Sequence, residues 1–280
     1  MSVILVLGGY GGFGSRLSRE LARKGHEVIA AGRNEKKALE FAARTPGVRG
    51  EQMERSKAKE ALARLRPNIL VDASGPFQDA DYSVARACAE AGVHYLDLAD
   101  GRAFVGGIAE LDSLAREKNV VVVSGASSVP GLSGAVARHL AKGMSHVELV
   151  EAQISSTSRA TAGDAVVKAI LSYIGRPVRI RRGGRWQTAI GWGEPRWEDF
   201  EADGRKPLRH RMTQIADVPD HDSLPESLPG CPSAVFRAGG EIALGNRALR
   251  AAGWLARLGI VKSLSPTAPF WIAAARATRG

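Results

Sequence analysis

A glycine-rich loop near the start of the chain constrains the fold more than any other feature. Residues 3–7 are uniformly apolar, which predicts a buried strand, and residues 15–24 have the pattern of a helix. Between them, Gly9, Gly11 and Gly14 form the spacing G-x-G-x-x-G. The first glycine permits a tight turn, the second lets the backbone approach a pyrophosphate, and the third lets the helix pack closely on the strand. In this strand-to-helix context the pattern predicts a dinucleotide-binding site.

The end of the second predicted strand indicates which dinucleotide is bound. That strand comprises residues 27–31, and Arg33 follows it. An acidic side chain at this place suits the ribose 2′-hydroxyl of NAD, whereas an arginine suits the 2′-phosphate of NADP. The sequence therefore predicts an NADP site. Glu35 keeps NAD as the less favoured alternative.

The charge of the chain raises a nucleic-acid hypothesis that the residue distribution argues against. The 280 residues carry a formal net charge of +10. The lysines and arginines are not grouped in blocks interleaved with aromatic residues, and aromatic residues make up only 6% of the chain. We therefore expect no nucleic-acid partner. A basic chain also suits a cofactor that carries several phosphate charges.

The two cysteines argue against a disulfide framework and against a metal site. Cys88 and Cys231 match no metal-ligand spacing, so we expect no metal. Cys88 falls within a predicted helix and is most simply a small buried residue. Reduced cysteines, with no evident signal peptide, predict a cytoplasmic protein.

Two segments bear on membrane binding. Residues 120–137 carry no charge, but their glycines, serines and proline indicate a strand, a turn and a helix start rather than a transmembrane segment. A helical wheel of residues 247–262 does not separate Trp254 and Leu258 from the arginines. The sequence thus predicts at most a weak association with a membrane surface.

Strands and helices alternate over the first part of the chain. This alternation predicts an α/β fold with an N-terminal doubly wound parallel sheet of the Rossmann type, in a domain of residues 1–142. The six predicted strands are residues 3–7, 27–31, 48–53, 68–73, 93–97 and 120–123.

A different pattern begins near residue 143 and predicts a smaller α+β domain of residues 143–280. Residues 147–155 alternate as a half-buried strand, and Gly183 and Gly184 form the turn of a hairpin. Residues 191–235 show little periodicity and are expected to be a long irregular excursion or a lid. No last strand that would return to the first sheet is evident, which leaves a truncated domain open.

Ligand chemistry in a doubly wound sheet collects at the carboxyl ends of its strands. Tyr95 and Asp97 lie there and are the candidates for the proton transfer that accompanies hydride transfer. The alternative is that Asp97 caps the next turn or binds a ribose hydroxyl.

Candidate substrate contacts lie at the same strand ends and in the second domain. Asp100 and Ser128 follow the fifth and sixth strands, and Arg159 could bind an anion. The arginines around the Gly183–Gly184 turn could clamp an anion or form the solvated face of a hairpin.

Three segments resemble the saccharopine dehydrogenase/reductase-like NAD(P)-binding family. They are residues 8–14 with 31–34, residues 71–77 (VDASGPF) and residues 87–97 (ACAEAGVHYLD). The resemblance implies a Rossmann domain, a second α+β domain that covers the cofactor and forms a homodimer, and NAD(P)-linked oxidation or reduction of a small molecule. Lysine-pathway members carry an aspartate where this chain has Val129, which argues against saccharopine itself.

The resemblance also implies which residues contact the cofactor. The glycine loop contacts the pyrophosphate, Arg33 contacts the 2′-phosphate, and the loop after the fourth strand borders the nicotinamide half. The cofactor residues that follow are Gly9, Tyr10, Gly11, Gly12, Phe13, Gly14, Arg33, Ser74, Gly75 and Pro76.

The function expected from the sequence is that of an NADP(H)-dependent oxidoreductase of this group. Hydride would pass to or from a C=N, C=O or C=C carbon of a small substrate. An enoyl reductase of acyl chains and a non-catalytic NADP-binding or sensing protein remain as alternatives.

Overall fold

A computed structural model describes residues 1–157, 164–261 and 263–277. The chain divides into two compact units, Met1–Ser128 and Val129–Gly280. The first unit contains six strands: β1 (Val3–Leu7), β2 (Glu27–Gly32), β3 (Val48–Gln52), β4 (Ile69–Asp72), β5 (His94–Asp97) and β6 (Val122–Val123).

All six strands form one parallel sheet in the order β3-β2-β1-β4-β5-β6. This order confirms the predicted doubly wound α/β fold. The helices between the strands are α1 (Gly14–Arg23), α2 (Glu35–Ala43), α3 (Ala58–Leu65), α4 (Ser83–Glu90), α5 (Arg102–Gly107) and α6 (Asp112–Glu117).

The uniformly apolar sequence of β1 reflects burial on both faces of the sheet. Leu5 and Leu7 belong to the core cluster that includes residues of α3 and α4. Ile4 and Val6 belong to a second cluster, against which Leu17 of α1 packs. Because successive side chains of a strand point to opposite faces, a strand covered on both sides needs an apolar residue at every position.

The register of the parallel strands aligns their carboxyl ends. Leu7 of β1 pairs with Ala31 of β2 and with Asp72 of β4, and Asp72 pairs with Asp97 of β5. The residues that follow these strands therefore share one edge of the sheet. The glycine loop, Arg33 and the segments after β4 and β5 all begin at this edge.

The second unit is built on a mostly antiparallel sheet. Its strands are β7 (Leu149–Ser156), β8 (Pro177–Arg182), β9 (Arg185–Ile190), β10 (Arg196–Phe200), β11 (Leu208–Ile215) and β12 (Ser233–Gly240). The path runs β10-β11-β12-β8-β9, with β7 parallel to β12. Its helices are α7 (Ser133–Leu140), α8 (Asp164–Tyr173), α9 (Asp220–Ser227), α10 (Ala243–Arg257) and α11 (Ala268–Ala277).

The expectation of an irregular excursion at residues 191–235 was wrong. This segment contains β10, β11, α9 and the start of β12. Residues 211–216 are almost completely buried, so β11 has no exposed face at its C-terminal half and shows no alternation of polar and apolar residues. The hairpin around Gly183 and Gly184, in contrast, forms as predicted between β8 and β9.

The compact units divide before α7, whereas the sequence pattern placed the domain boundary at residue 142. The reason is the packing of α7: Ala137 contributes to a cluster with Leu224, Leu228 and Ala234 of the second unit. Within the ranges that the structure describes, no helix is long and apolar enough to cross a membrane.

Candidate functional site

The glycine loop is held to the sheet by backbone hydrogen bonds. Gly8 has a φ of +80°, and its N–H donates to the carbonyl of Ala31 at 2.7 Å. A Cβ on Gly9 would lie 2.7 Å from Cα of Ala30, and a Cβ on Gly14 would overlap the carbonyl of Gly8. These three glycines are required for the chain to turn from β1 into α1 at close range.

Gly11 and Gly12 have a different reason to be glycine. Both are exposed, and neither has a positive φ. A Cβ on Gly12 would meet nothing within 4 Å, and a Cβ on Gly11 would meet only the Gly8 carbonyl oxygen at 3.1 Å. The fold itself does not require glycine at position 12, and at position 11 a Cβ needs the Gly8 carbonyl to shift by only a few tenths of an ångström. The open space beside them fits the close approach of an external group such as a pyrophosphate.

The first turn of α1 lies next to this open space. Phe13 is the N-cap residue, no side chain caps the helix, and the first turn has no acidic residue. The N–H groups of Ser15, Arg16 and Leu17 already donate to the carbonyls of Gly11 and Phe13. What the start of this ten-residue helix offers an anion is therefore the positive end of the helix dipole, with no acidic side chain to oppose it. A helix N-terminus of this kind is a common phosphate-binding element.

Tyr10 connects the glycine loop to the end of β2. Its hydroxyl accepts a hydrogen bond from the N–H of Asn34 at 2.9 Å. Its ring covers Gly32, since a Cβ there would lie 2.6 Å from the hydroxyl oxygen. Tyr10 therefore fixes the backbone on both sides of Arg33.

Arg33 is exposed at this edge, and its backbone is fixed while its side chain is free. Its carbonyl accepts a hydrogen bond from the side-chain amide of Gln52 at 3.1 Å. Among the described residues, no carboxylate forms an ion pair with its guanidinium. An unpaired arginine beside an open glycine loop has the charge and position to bind a phosphate.

A buried ion pair at the end of β4 was not found from the sequence. Asp72 is completely buried and pairs with Arg55, which follows β3. Asp72 also accepts hydrogen bonds from the backbone N–H and the hydroxyl of Ser74, at 2.9 and 2.6 Å. Arg55 donates to the Ser74 hydroxyl at 3.1 Å. This network fixes the start of the loop that contains Gly75 and Pro76.

Asp97 has the hydrogen bonds of a structural residue. It is completely buried, and one oxygen accepts from the N–H groups of Ala99 and Gly125 and from the hydroxyl of Ser124, at 2.8 to 3.0 Å. Burial raises the pKa of its carboxyl group. These contacts favour the alternative in which Asp97 caps the following turn.

Tyr95 is also completely buried, in the main core cluster of the first unit. Burial raises the pKa of its hydroxyl group far above the ordinary value. Its position favours a role in core packing over one in proton transfer.

The candidate substrate residues Asp100 and Ser128 differ in burial. Asp100 is half-buried, accepts a hydrogen bond from Gln78 at 3.0 Å, and has a pKa raised by burial. Ser128 is exposed and begins the short helical segment Ser128–Leu132. Arg159 lies outside the described residues.

The arginines of the β8–β9 hairpin are engaged within the second unit. The guanidinium of Arg179 lies 4.0 Å from the ring centroid of Trp186. Arg182 makes two hydrogen bonds to Glu194, at 3.0 and 2.5 Å, and Nε of Arg181 donates to the carbonyl of Cys231 at 3.2 Å. Arg181 and Arg182 line a cavity of about 880 Å³. These contacts stabilise the fold of the second unit.

The part of the chain that the structure describes contains no group of three or more His, Cys, Asp or Glu residues suited to a metal ion. Cys88 is buried, which raises the pKa of its thiol to about 12. Cys231 is exposed.

The fold and the loop geometry define the first unit as a dinucleotide-binding domain of the doubly wound α/β class. Residues 4–128 match the family model described as the saccharopine dehydrogenase NADP-binding domain. This match over the first unit confirms the resemblance that the sequence shows there. Among curated proteins, none matches the chain significantly.

A solved structure from yeast shows the same fold at low sequence identity. Saccharopine dehydrogenase (L-Glu forming) from Saccharomyces cerevisiae is 10% identical with a TM-score of 0.58, over 85% of this chain and 55% of the yeast chain. This chain thus spans about half the length of the yeast enzyme. A Klebsiella pneumoniae protein provisionally assigned as an oxidoreductase is 16% identical with a TM-score of 0.45, over 86% of this chain and 63% of its own.

The two kinds of glycine in the loop predict opposite effects of substitution. We expect Gly11→Val and Gly12→Val to abolish NADP binding while leaving the first unit folded, because their side chains would occupy the open space. NADP binding is measured by calorimetry and folding by circular dichroism.

Gly14→Ala is the matched variant for stability. Its Cβ would overlap the Gly8 carbonyl, so we expect it to lower the free energy of unfolding by about 1–3 kcal/mol. Wild-type NADP affinity in both valine variants would contradict the assignment of the loop.

The buried carboxyl group of Asp97 predicts a specific pH dependence of stability. Its pKa is raised in the folded state, so the folded protein binds this proton more tightly than the unfolded chain does. Relative to Asp97→Asn, the wild type is most stable below the ordinary pKa of 3.8 and loses stability as the pH rises through the raised pKa. The loss is about 1.4 kcal/mol for each tenfold difference in proton affinity.

Urea unfolding followed by circular dichroism at several pH values measures this difference. All five tryptophans lie in the second unit, so their fluorescence reports that unit separately. Asp81 is the control, since hydrogen bonds from Ser83 lower its pKa. Relative to Asp81→Asn, the wild type should gain stability as the pH rises. A stability difference for Asp97→Asn that does not change with pH would refute the account of this residue.

Proposed function

We propose that this chain is an NADP(H)-dependent oxidoreductase of the saccharopine dehydrogenase-like group. The observation that carries the proposal is the open glycine loop beside an exposed arginine. Gly11 and Gly12 leave space that the fold does not need, and Arg33 has no carboxylate partner among the described residues. The family match of residues 4–128 supports a nicotinamide cofactor.

In this proposal the cofactor is held by residues of the first unit alone. The backbone of the Gly9–Gly14 loop and the first turn of α1 bind the pyrophosphate, with Tyr10 and Phe13 at its sides. Arg33 binds the 2′-phosphate. Ser74, Gly75 and Pro76 border the nicotinamide half. When bound, the nicotinamide ring supplies a carbon that accepts or donates hydride.

Several side chains of the first unit act by fixing the loops at the sheet edge. The Arg55–Asp72 pair and Ser74 hold the segment before Gly75 in one conformation. Asp97 holds the backbone at Gly125. Preorganised loops lower the entropy cost of binding the cofactor and of orienting a substrate.

The substrate is proposed to be a small molecule with a C=N, C=O or C=C group. Asp100 is the best placed of the carboxyl groups at this edge to hold a proton, because it is only half-buried and burial raises its pKa. Ser128 and Arg159 stay as proposed substrate contacts, and a homodimer stays a proposal as well. Saccharopine itself is disfavoured by Val129.

A non-catalytic NADP-binding protein is the second candidate, and one observation favours it. Tyr95 and Asp97, the candidates for proton transfer, are both completely buried. The enoyl reductase alternative rests on a more apolar lid, for which the aromatic residues of the second domain are the candidates: Trp186, Trp192, Trp197 and Phe200. Trp192 does not support such a lid, since it is 3% exposed and packs in a core cluster, whereas Trp186 and Trp197 are 38% and 50% exposed and do support it.

Arg33→Ala tests the choice of cofactor. A charge-assisted contact with the 2′-phosphate contributes about 1.5–3 kcal/mol. This corresponds to a preference of about ten- to a hundredfold for NADP over NAD. We expect the variant to bind NADP about ten- to a hundredfold more weakly than the wild type and to bind NAD nearly as the wild type does. Calorimetric titrations with both cofactors at one moderate salt concentration measure it.

Arg44→Ala is the matched control, because it removes an equally exposed charge at the opposite end of α2. It should leave both affinities unchanged. If Arg33→Ala weakens the binding of NAD and of NADP equally, or if the wild type binds both cofactors equally well, the assignment of NADP is wrong.

Turnover separates the two candidate functions. An oxidoreductase should oxidise NADPH, or reduce NADP⁺, with at least one member of a panel of imines, ketones, enones and their reduced forms. The change in absorbance of the nicotinamide follows the reaction. Tight NADPH binding without turnover across the panel would favour the non-catalytic candidate.

A further inference from the structure

Helix α10 of the second unit is held to that unit mainly through one face, with a further contact in which the guanidinium of Arg247 lies 5.8 Å from the ring centroid of Trp197. Asn246 and Gly253 are buried, and Leu249 and Ala252 pack on the cluster that contains residues of α8 and α11. The side-chain oxygen of Asn246 accepts from the N–H of Gly240 at 3.0 Å, which ties the helix to β12. This face accounts for the attachment of the helix to its own unit.

A second apolar stripe on the same helix points to solvent. Leu244, Leu255 and Leu258 are 73%, 44% and 67% exposed, and Ala248 and Ala251 between them are exposed as well. These five positions recur every three or four residues, so they form one continuous stripe on a helix. We call this set the leucine stripe. An exposed stripe of this kind marks an interaction surface.

An arginine row runs along one side of the leucine stripe. It consists of Arg247, Arg250 and Arg257, all exposed, with Trp254 among them. Trp254 is 52% exposed, and the guanidinium of Arg257 lies 4.9 Å from its ring centroid. The sequence contains no Asp or Glu after Glu241. The exposed side of α10 itself therefore carries apolar and basic side chains and no acidic one.

We propose that α10 binds the surface of an anionic lipid bilayer, lying in the plane of the headgroups. The leucine stripe enters the boundary with the acyl chains, and the arginine row contacts anionic headgroups. Trp254 has the apolar ring and the single N–H donor that suit this interface. The helical wheel of the sequence did not separate these faces, because Trp254 lies among the arginines and the buried face was unknown.

The charges argue against a second copy of this chain as the occupant. Two leucine stripes packed against each other would bring two arginine rows together. No acidic residue after Glu241 is available to neutralise them. Like charges across an interface disfavour binding. An anionic bilayer provides acyl chains for the leucines and negatively charged headgroups for the arginines.

Sedimentation of the full chain with vesicles tests the proposal. The probes are vesicles of phosphatidylcholine, with or without phosphatidylserine as a minor component. We expect binding to the anionic vesicles only, weakened by salt. Arg247→Gln, Arg250→Gln and Arg257→Gln together should lower the partition coefficient about a hundredfold, at about fivefold for each arginine. Leu255→Ser with Leu258→Ser should lower it by about tenfold or more.

Matched variants in the first unit control for charge and hydrophobicity. Arg64, Arg86 and Arg116 are exposed arginines whose change to glutamine removes the same total charge. Leu39→Ser removes a leucine that is 52% exposed. Neither control should alter vesicle binding. Each variant should keep whatever NADPH affinity the wild type has, and the vesicle result holds whether or not the proposed function is correct.

Trp254 provides a second readout. Its fluorescence should shift to shorter wavelength with anionic vesicles, and Trp254→Phe should remove that shift. The proposal is overturned if the chain binds neither kind of vesicle, or if the first-unit controls lose as much binding as the α10 variants. A dimer in sedimentation velocity that the leucine variant loses, without vesicle binding, would assign the stripe to a second copy instead.

Discussion

The close approach of α1 to β1 is the constraint on which the first unit and its candidate site both depend. The helix can start directly after the loop only because Gly14 lies against the Gly8 carbonyl, where a Cβ would overlap. Gly9 also fits closely against Ala30, where a Cβ would lie 2.7 Å from the Cα. This packing sets the helix N-terminus at the carboxyl edge of the sheet, beside Gly11 and Gly12. The same contacts that form the core thus create the space in which an anion can bind.

Much of the first unit could be predicted from the sequence because its elements are regular and locally encoded. A strand buried on both faces is apolar throughout, and every residue of β1 is apolar. The second unit was less predictable. Residues 191–235 lack periodicity since the C-terminal half of β11 is buried on both faces, and the pairing of β12 with β7 joins residues far apart in sequence. Such contacts leave no local pattern.

The residues of the candidate site also differ in how well the sequence predicts them. The glycine loop and Arg33 follow a fixed spacing, so their positions could be predicted. The Arg55–Asp72 pair could not, because Arg55 follows a strand with a weak pattern and meets Asp72 only through the order of strands in the sheet. The sequence did contain one indication of this pair, because Asp72 is an acidic residue at the end of an apolar strand. Tyr95 and Asp97 appeared suited to chemistry by position, but their burial could be learned only from the packing of the helices around them.

We propose that the glycine loop and Arg33 together bind an adenosine that carries a 2′-phosphate. Competition with bound NADPH tests it most directly, with adenosine 2′,5′-bisphosphate and adenosine 5′-monophosphate as the competitors and NADPH fluorescence as the readout. The account predicts that the bisphosphate displaces NADPH at a concentration at least about tenfold lower than the monophosphate does. Equal displacement by the two competitors, or no NADPH binding at all, would contradict it.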